Sequence, residues 1–479
     1  MKLDKKQLQR IYMMGICGTG MAALAGLLQE KGFEIAGSDA GCYEPMSGVL
    51  KRLKIDVFTG YKPENIKRFQ PDLVIVGNVI SKDNPEAQFL LNSNIPYMSF
   101  PEAMGHFFLS KKKSLVVTGT HGKTTTSTLL LSALEACGVR PGFMIGGVPI
   151  DKERGFGIGR DEWFVIEGDE YDTSFFQKVS KFLFYRPFGA IMTSIEFDHA
   201  DIFQSLDEII SSFSKFAGLI PKDGVLVACM DWDTVMKAAS NASCKLVTYG
   251  MHKDAEWRLG TVDIGETVTV FEAIGPHSQS FEVKINLPGI HNALNALSVL
   301  ALCSNLGFNA NDVIEGLAKC RGVKRRQEIR GIINDIIVID DFAHHPRAVK
   351  ETLKALKERF AKRRIIAVFE PRTNTSMRAV FQDYYVSSFD HADKIYVRDV
   401  PHPEKVPEDN RFSSKELVRR LVERGKEALF CKDATQIISE IQKDLKPGNV
   451  YVILSNGPFE QIHQRLLDSI KTTSQNKVA

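Results

Sequence analysis

Short apolar runs alternate with helix-like patterns of apolar and polar residues along most of the chain. The runs are rich in Val and Ile and apolar at successive positions, which is typical of strands buried on both faces of a parallel sheet. The strands predicted on this basis are residues 10–16, 72–77, 114–118, 163–166, 189–194, 225–229, 335–340, 364–369, 394–397 and 449–454. Because they alternate with helices, the pattern predicts an α/β fold with right-handed crossovers.

One stretch departs from this pattern. Residues 256–286 are rich in β-forming residues and are interrupted by Gly-Glu and Gly-Pro pairs. Such pairs are turn signals between short strands. The stretch therefore predicts an antiparallel meander inserted into the middle of the chain.

Composition and charge narrow the classes of protein that fit. Apolar residues make up 44% and charged residues 25%, which is typical of a globular protein and excludes collagen-like, disordered and membrane-spanning chains. The 61 Lys and Arg residues nearly balance the 58 Asp and Glu residues, with a formal charge of +3, so we expect no nucleic-acid partner. The N-terminus lacks the apolar core of a signal peptide. We therefore expect a cytoplasmic protein with no membrane insertion, and the sequence makes no prediction of oligomeric state.

The cysteines fit this expectation. Eight of them are scattered along the chain, and no two form a CxxC pair. A disulfide scaffold is short and dense in cysteine, and a zinc site needs clustered ligands. We therefore expect most of the cysteines to be buried thiols.

The strongest local signal is a phosphate loop. The segment SLVVTGTHGKTTT at 114–126 runs from a buried strand through glycines into a helical pattern, which is the context that a nucleotide phosphate requires. Its loop is shorter than the standard motif, since Val117 stands where the first glycine would be. We expect ATP here, with Lys123 on the β- and γ-phosphates and the Thr124 hydroxyl on Mg²⁺. The predicted nucleotide-binding residues of the loop are Gly119, Thr120, His121, Gly122, Lys123, Thr124 and Thr125.

A second glycine loop follows the first predicted strand. The segment MGICGTGM contains Gly15, Gly18 and Gly20, and the next predicted strand ends at Ser38 and Asp39. It resembles an incomplete dinucleotide fingerprint, because Ala23 replaces the third glycine. Three alternatives stay open at this point: a nicotinamide dinucleotide, another pyrophosphate such as that of a UDP-sugar, or a tight turn without a ligand.

Domain organisation follows from length and linkers. A chain of 479 residues makes about three domains at roughly 150 residues each. Polar runs at 111–113 and 321–326 each precede a new strand. We predict a Rossmann-like domain over 1–110, a P-loop ATPase-like α/β domain with the antiparallel insertion over 111–323, and a second Rossmann-like domain over 324–479.

Four further motifs complete a specific combination. They are EGDEYD at 167–172, IEFDHAD at 195–201, LPGIHNALNAL at 287–297 and DDFAHHP at 340–346. Together with the two glycine loops, and in this order, they resemble the Mur ligase family of ATP-dependent amide-forming enzymes of peptidoglycan synthesis. That resemblance implies a bacterial ligase and makes the first glycine loop a UDP-sugar site.

The resemblance also implies roles for individual residues. Thr124 and Glu167 would hold one Mg²⁺, and Glu167 and His199 would hold a second. Asn292 and Asn295 match adenine contacts, since an amide both donates and accepts hydrogen bonds, and Arg326 and Asp341 match nucleotide contacts from the third domain. The catalytic residues implied are Lys123, Glu167, His199 and Asp341.

The substrates implied are UDP-N-acetylmuramate and an amine. The sugar's carboxylate would attack the γ-phosphate of ATP, and the amine would then attack the acyl phosphate. The segments FEPRTNTSMR and SNGPF favour the tripeptide L-alanyl-γ-D-glutamyl-meso-diaminopimelate, used in wall recycling, over the alternative amine L-alanine. Candidate contacts to the UDP-sugar are Gly15, Gly18, Gly20, Ser38, Asp39 and Ser81, and Arg372 and Arg378 are candidates for substrate carboxylates.

Two other functions compete with this one. An NAD-dependent oxidoreductase would rest on the loop at Gly15–Gly20 alone, and a separate ATP loop argues against it. An ATP-driven switch or motor would leave the Asn292–Asn295 helix and the first domain unexplained. Strict dependence of ATP turnover on the substrates would separate a ligase from a switch.

Overall fold

The structure, a computed structural model, describes residues 8–42, 46–170, 172–197, 203, 205–266, 268–372, 376–401 and 403–475. The chain divides into two compact units. The first contains Met1–Gly260, Glu272–Val283 and Leu294–Cys320, and the second contains Thr261–Phe271, Lys284–Ala293 and Arg321–Ala479.

The first sheet has five parallel strands in the order β3-β2-β1-β4-β5. They are β1 Arg10–Met14, β2 Glu34–Asp39, β3 Asp56–Thr59, β4 Leu73–Val76 and β5 Tyr97–Ser99. The helices are α1 Thr19–Glu30, α2 Met46–Arg52, α3 Pro63–Phe69, α4 Pro85–Leu91 and α5 Phe100–Met104, followed by a π-helical turn over Gly105–Leu109. Because β1 lies between β2 and β4, the strand order reverses beside it, which places a binding crevice at its carboxyl end.

Both faces of this sheet are covered, as its continuous apolar strands predict. Along β1, Ile11 and Met13 pack into one apolar cluster, and Tyr12 and Met14 pack into another. The strand ends at Met14 rather than at residue 16, because Gly15 turns the chain with a φ of +78°.

The central sheet has ten strands in the order β17-β16-β15-β14-β13-β12-β6-β9-β7-β8. They are β6 Lys113–Thr118, β7 Gly142–Met144, β8 Phe156–Gly157, β9 Trp163–Gly168, β12 Pro187–Met192, β13 Val225–Cys229, β14 Lys245–Gly250, β15 Trp257–Ile264, β16 Thr269–Ile274 and β17 Ser280–Ile285. A separate hairpin consists of β10 Asp172–Ser174 and β11 Gln177–Ser180. The helices are α6 Lys123–Ala136, α7 Leu206–Ala217, α8 Asp233–Ala239, α9 Ile290–Asn305 and α10 Ala310–Lys319, with short 3₁₀ turns at Lys181–Phe184 and Pro276–Ser278.

The predicted meander corresponds to β15, β16 and β17, which are neighbours in the sheet. The turn between β15 and β16 is closed by a hydrogen bond from the Gly265 amide to the Val268 carbonyl. Since so short a connection can join only antiparallel neighbours, this part of the sheet departs from the parallel strands β12, β13 and β14 beside it.

The third sheet has six strands in the order β18-β19-β23-β20-β21-β22, and only β18 is antiparallel to its neighbour. They are β18 Glu328–Ile333, β19 Ile336–Asp341, β20 Arg364–Phe369, β21 Lys394–Arg398, β22 Glu427–Cys431 and β23 Asn449–Leu454. The helices are α11 Pro346–Arg359, α12 Gln382–Ser388, α13 Ser414–Glu423, α14 Ala434–Lys443 and α15 Ile462–Gln475, with 3₁₀ turns at Ala379–Phe381, Pro403–Lys405, Glu408–Asn410 and Phe459–Gln461.

All ten predicted strands are strands of these sheets, and the α/β fold with an antiparallel insertion is confirmed. Two of the cysteines, Cys17 and Cys42, form a disulfide that the sequence did not predict, with their Cα atoms 5.4 Å apart. Four of the free cysteines, Cys229, Cys303, Cys320 and Cys431, are buried as expected. In the part of the chain that the structure describes, no helix combines the length and apolarity needed to cross a bilayer.

Candidate functional site

The phosphate loop lies between strand β6 and helix α6, and two of its glycines are obligatory. Gly119 and Gly122 have φ values of +131° and +83°, which side chains rarely adopt. A Cβ on Gly119 would collide with the Thr193 hydroxyl, and one on Gly122 would lie 2.9 Å from Oδ1 of Asn295. The loop therefore combines backbone turns and close approaches that only glycine permits.

The segment that follows strand β12 holds this loop in place. The Thr120 amide donates to the Ser194 carbonyl at 2.7 Å, and the His121 amide donates to the Ser194 hydroxyl at 3.1 Å. The Glu196 amide donates to the Thr120 hydroxyl at 2.9 Å, and the Glu196 carboxylate lies 2.7 Å from Nε2 of His121. The side chains of Thr120 and His121 thus brace the loop.

Lys123 is the first residue of helix α6, and its ammonium is held at the loop. Its Nζ donates to the Gly119 carbonyl at 2.6 Å and lies 3.2 Å from a carboxylate oxygen of Glu170. Burial alone would lower the pKa of Lys123, but the carboxylates of Glu170 and Asp169 outweigh it and raise the pKa. Lys123 therefore stays charged, as a phosphate-binding lysine must.

Glu167 and Thr124 meet beside the loop. The Thr124 hydroxyl donates to Oε2 of Glu167 at 3.0 Å, and the Gly146 amide donates to Oε1 at 2.6 Å. Burial, reinforced by the negative charge of Asp169, raises the pKa of Glu167 to about 7. A carboxyl group buried at this position favours its protonated, neutral form unless a cation lies beside it.

The donor atoms of this pair fit Mg²⁺, which prefers oxygen ligands and takes few of them from protein because phosphates and waters supply the rest. Within the described ranges there is no group of three or more His, Cys, Asp or Glu residues that could hold a metal ion. A Mg²⁺ shared with a nucleotide does not need such a group. His199, predicted as a ligand of a second ion, lies outside the described residues.

The two predicted adenine contacts have different surroundings. Asn295 on helix α9 is buried, and its amide approaches Gly122 of the phosphate loop. Asn292 is also buried, and its side-chain amide donates to the Pro288 carbonyl at 2.7 Å. The structure therefore brings Asn295 to the loop, whereas Asn292 braces the start of its own helix.

The first glycine loop is tied to the end of strand β2. The amides of Gly15 and Ile16 donate to the Ser38 carbonyl at 2.8 and 3.1 Å. The Cys17 amide donates to a carboxylate oxygen of Asp39 at 2.9 Å. Ser38 and Asp39 thus shape the loop that contains Gly15 and that ends at Gly18 and Gly20, the start of helix α1.

The side chains of Ser38 and Ser81 lie in opposite environments. Ser38 is fully buried, and its hydroxyl donates to Glu86 at 2.5 Å. The same carboxylate accepts hydrogen bonds from Tyr12 and Asn65, and burial raises its pKa despite these donors. Ser81 is exposed in the turn that precedes helix α4. The Ser38 hydroxyl is therefore committed to Glu86, and its carbonyl to the amides of Gly15 and Ile16.

Asp341 is the last residue of strand β19, and its side chain holds backbone amides at that end of the strand. Its carboxylate accepts from the amides of Gln327 and Ala343, both at 2.8 Å. Burial raises the pKa of Asp341, and the nearby positive charge of Arg326 opposes the shift. The Arg326 guanidinium lies 5.1 Å from the centre of the Phe342 ring. Arg326 thus lies close enough to Asp341 for its charge to act on the carboxylate.

The two predicted carboxylate-binding arginines differ in exposure. Arg372 is partly buried and lies across Gly457, where any Cβ would collide with its side chain. Arg378 is exposed and forms an isolated bridge with Arg411. Both follow strand β20, whose carboxyl end is where ligands bind in an open α/β sheet.

Sequence reasoning missed three acidic residues at these sites. Glu170 and Glu196 contact the phosphate loop through Lys123 and His121. Glu370, which is fully buried, accepts from the Ser455 hydroxyl at 2.5 Å and pairs with Arg398. Glu170 and Glu196 lie inside the quoted motifs EGDEYD and IEFDHAD, so their positions, though not their partners, were visible in the sequence.

Family models match three successive parts of the chain. They are described as "Mur ligase family, catalytic domain" over residues 10–112, "Mur ligase middle domain" over 117–303, and "Mur ligase, glutamate ligase domain" over 325–457. The three-domain α/β fold and the phosphate loop with its acidic partner are those of an ATP-dependent amide-forming ligase. The chain belongs to the Mur ligase family.

Individual relatives match over nearly the whole chain. The UDP-N-acetylmuramate–L-alanyl-γ-D-glutamyl-meso-2,6-diaminoheptandioate ligase of Escherichia coli K12 is 37% identical, over 96% of this chain and 98% of its own. The crystal structure of a murein peptide ligase from Psychrobacter arcticus is 31% identical, with a TM-score of 0.73 and coverages of 96% and 98%. The UDP-N-acetylmuramate–alanine ligase of Thermotoga maritima is 26% identical, with a TM-score of 0.81 and coverages of 97% and 99%.

Proposed function

We propose that this protein uses ATP to join the lactoyl carboxylate of UDP-N-acetylmuramate to the amine of L-alanyl-γ-D-glutamyl-meso-diaminopimelate. The observation that carries the proposal is the arrangement of Lys123, Thr124 and Glu167 beside the phosphate loop. It occurs in a chain that is 37% identical, over 96% of its length, to an E. coli ligase named for this tripeptide.

The first step forms an acyl phosphate. A carboxylate oxygen of the sugar bonds to the γ-phosphorus of ATP, the bond between that phosphorus and the β–γ bridging oxygen breaks, and ADP leaves with the electron pair. The amides of the loop from Gly119 to Thr125 and the Lys123 ammonium neutralise phosphate charge. Positioning and charge neutralisation account for most of the catalysis in such a transfer.

Thr124 and Glu167 are the residues that would hold a Mg²⁺ ion, and His199 would join Glu167 at a second one. A bound Mg²⁺ would neutralise phosphate oxygens and polarise the γ-phosphoryl group. The direct hydrogen bond from Thr124 to Glu167 keeps both oxygens on the same side of the loop. This chain thereby presents two hard oxygen ligands next to the ammonium that meets the phosphates.

Further contacts are assigned by residue chemistry. Asn295, beside the loop, and Asn292 would contact adenine through their amides. Arg326 and Asp341, held together in the third domain, would contribute to nucleotide binding. Gly15, Gly18, Gly20, Asp39 and Ser81 would bind the UDP-sugar, whose diphosphate suits a glycine loop at the start of a helix. The buried Ser38 would hold that loop in place through its carbonyl.

The second step needs the amine. The neutral amine's lone pair attacks the acyl carbon, and the bond to the phosphate oxygen breaks. Inorganic phosphate leaves and takes up the proton that the nitrogen loses as the amide forms. Arg372 and Arg378 would bind carboxylates of the peptide, because a guanidinium matches a carboxylate in geometry and charge. We assign the UDP-sugar to 1–110, ATP to 111–323 and the peptide to 324–479, and place the reaction in the bacterial cytoplasm.

A phosphate-release assay tests the function. The protein is mixed with ATP, Mg²⁺ and UDP-N-acetylmuramate, and phosphate is measured with no amine, with L-alanine and with the tripeptide. We expect turnover only with the tripeptide, and none when UDP-N-acetylmuramate is left out. Phosphate release that depends neither on UDP-N-acetylmuramate nor on an amine would instead indicate an ATP-driven switch.

The alternative amine is L-alanine. It is favoured by the TM-score of 0.81 with the Thermotoga maritima alanine ligase, and by 32% identity to the UDP-N-acetylmuramate–L-alanine ligase of Clostridium tetani over 94% of this chain. Turnover with L-alanine and not with the tripeptide would show that L-alanine is the amine substrate. The proposed roles of Lys123, Thr124 and Glu167 would stay the same.

Matched arginine variants test the third domain. Arg372→Lys keeps the charge of the partly buried side chain but loses the forked geometry. We expect the KM for the peptide to rise roughly tenfold, as for the loss of one bidentate contact. Arg378→Lys makes the same change at an exposed position, and its KM for the peptide is compared with that of Arg372→Lys. An unchanged KM in both variants would remove these residues from the site.

A further inference from the structure

Two acidic residues of the EGDEYD motif, Glu167 near the end of β9 and Glu170 just after that strand, have separate partners. Glu167 binds Thr124 and the Gly146 amide, on the side of the predicted metal ligands. Glu170 binds Lys123, with its two carboxylate oxygens 3.2 and 3.4 Å from Nζ. The metal assignment therefore accounts for Glu167 and leaves the contact made by Glu170 unexplained.

The Glu170–Lys123 pair is nearly dry. The Glu170 side chain is 3% exposed and the Lys123 side chain 14%. Charges this close, with little solvent between them, interact strongly, and neither is easily left without a partner. The ammonium is thus shared between the Glu170 carboxylate and the Gly119 carbonyl.

A nucleotide changes this balance. Its β- and γ-phosphates carry several negative charges, and they need the same ammonium that Glu170 holds. A carboxylate this close to Lys123 repels those phosphates and competes with them. The competition disappears for a ligand that has no phosphate.

We propose that Glu170 is a positioning residue that acts as the resident counter-ion of Lys123. It holds the ammonium at the mouth of the loop, yields it to the phosphates when ATP binds, and takes it back when ADP leaves. This inference rests on the proposed ATP site. It adds a residue that controls the affinity for ATP and ADP and has no part in the choice of amine.

Replacing the carboxylate by its neutral isostere separates this role from a purely structural one. In Glu170→Gln the amide can still accept a hydrogen bond from Lys123, but it no longer competes electrostatically with phosphate. We expect ATP and ADP to bind roughly tenfold more tightly, and the KM for ATP to fall. The kcat should fall as well, because ADP is released more slowly. Adenosine should bind as it does to the unaltered protein.

The experiment measures the affinities of the full chain for ATP, ADP and adenosine by calorimetry, beside steady-state kinetics with the tripeptide. Asp169→Asn is the matched control, since it removes a charge from the residue next to Glu170 but leaves the Glu170 contact with Nζ in place. We expect a clearly smaller change in ADP affinity from it. Glu170→Asp keeps the charge, and we expect an ADP affinity near that of the unaltered protein.

Several results would overturn the inference. They are an ADP affinity in Glu170→Gln that is unchanged or weaker, an equal change in Asp169→Asn, or a parallel change for adenosine. If Glu170→Gln does not fold, Glu170→Asp decides alone: an ADP affinity shifted as far as that of Asp169→Asn, or further, contradicts the proposed role. If the nucleotide affinities change as expected but the tripeptide is not used as a substrate, only the proposed function is contradicted.

Discussion

The Thr124 hydroxyl lies 3.0 Å from a carboxylate oxygen of Glu167, so the first turn of helix α6 is hydrogen-bonded to the end of strand β9. The register of the sheet explains this contact, because β6 and β9 are parallel neighbours and Glu167 lies opposite Val117. The carboxyl ends of the two strands therefore meet at one edge, where each delivers a polar side chain to the same point.

Glu167→Gln should make the protein more stable at alkaline pH. The pKa of Glu167 is raised to about 7 in the fold from an ordinary 4.5, so the folded state favours the neutral form, and ionisation costs stability above pH 7. A neutral glutamine avoids that cost, which is up to about 3 kcal/mol in the free energy of unfolding. Urea denaturation at several pH values, without nucleotide or metal, measures it.

The pH dependence of this difference has a definite sign. The advantage of Glu167→Gln should be fully present above pH 7 and shrink as the pH falls from 7 towards 4.5, where glutamate is protonated in both states. Glu162→Gln, at an exposed ion pair with Lys113, should show no such window. An advantage that grew towards acid pH would contradict the account of Glu167.

Gly122→Ala should abolish ATP binding. The position has a φ of +83°, and a Cβ there would lie 2.9 Å from Oδ1 of Asn295. Gly138→Ala is a matched control, since Gly138 has a φ of +79° but no atom within 4 Å of its Cβ position. We expect the control to lose about 1 kcal/mol of stability and to keep its ATP affinity, as measured by calorimetry. Equal ATP affinities would show that the contact with Asn295 is unimportant.

The Cys17–Cys42 disulfide should stabilise the protein in the absence of reductant. It closes a loop with a sequence separation of 25, and chain-entropy arithmetic for a loop of that size gives about 3.5 kcal/mol. Cys42→Ser should lower the free energy of unfolding by that amount in oxidised samples and by nothing when a reductant is present. Cys137→Ser, which removes a free and partly buried thiol, should respond equally in both. A reductant-independent loss in Cys42→Ser would contradict this account.

Glu370→Ala should be among the most destabilising single changes in the third domain. The carboxylate is fully buried and pairs with Arg398, whose side chain is 14% exposed. Removing one member of a buried pair leaves the other charge uncompensated, which costs about 3–5 kcal/mol. Glu423→Ala breaks an exposed pair with Arg419 and should cost less than about 1 kcal/mol. Thermal and urea denaturation of both variants provide the measurement, and similar losses would be unexpected.

The sequence predicted the strands well because their signal is local. A continuous apolar run such as that of β6 or β13 can bury its side chains only when both faces of the sheet are covered. The phosphate loop was equally visible, since its strand, its glycines and the Lys123–Thr124 pair are contiguous in the chain. The asparagine helix and the acidic motifs were placed by resemblance to a family.

Pairings between distant segments could not be predicted in the same way. Ser38 was expected at the sugar, yet its hydroxyl is committed to Glu86 beneath the sheet. Asn292 and Asn295 are close together on one helix, yet the Asn295 amide approaches Gly122 of the loop and the Asn292 amide donates to the Pro288 carbonyl. Nothing in the sequence singled out Cys17 and Cys42 from the other cysteines, and they are bonded because the first glycine loop and the end of β2 lie side by side.

The amino-acid sequence by itself thus determined the α/β architecture, the two glycine loops and the residue types that phosphate chemistry needs, because periodicity and turn chemistry act over a few neighbouring residues. Only the tertiary structure decided that Glu167 meets Thr124 while Glu170 meets Lys123. Both acids lie in one short motif, and their partners lie in another. Which carboxylate reaches which partner depends on the register of β6 against β9 and on how the chain turns after β9, and neither is encoded within a single segment.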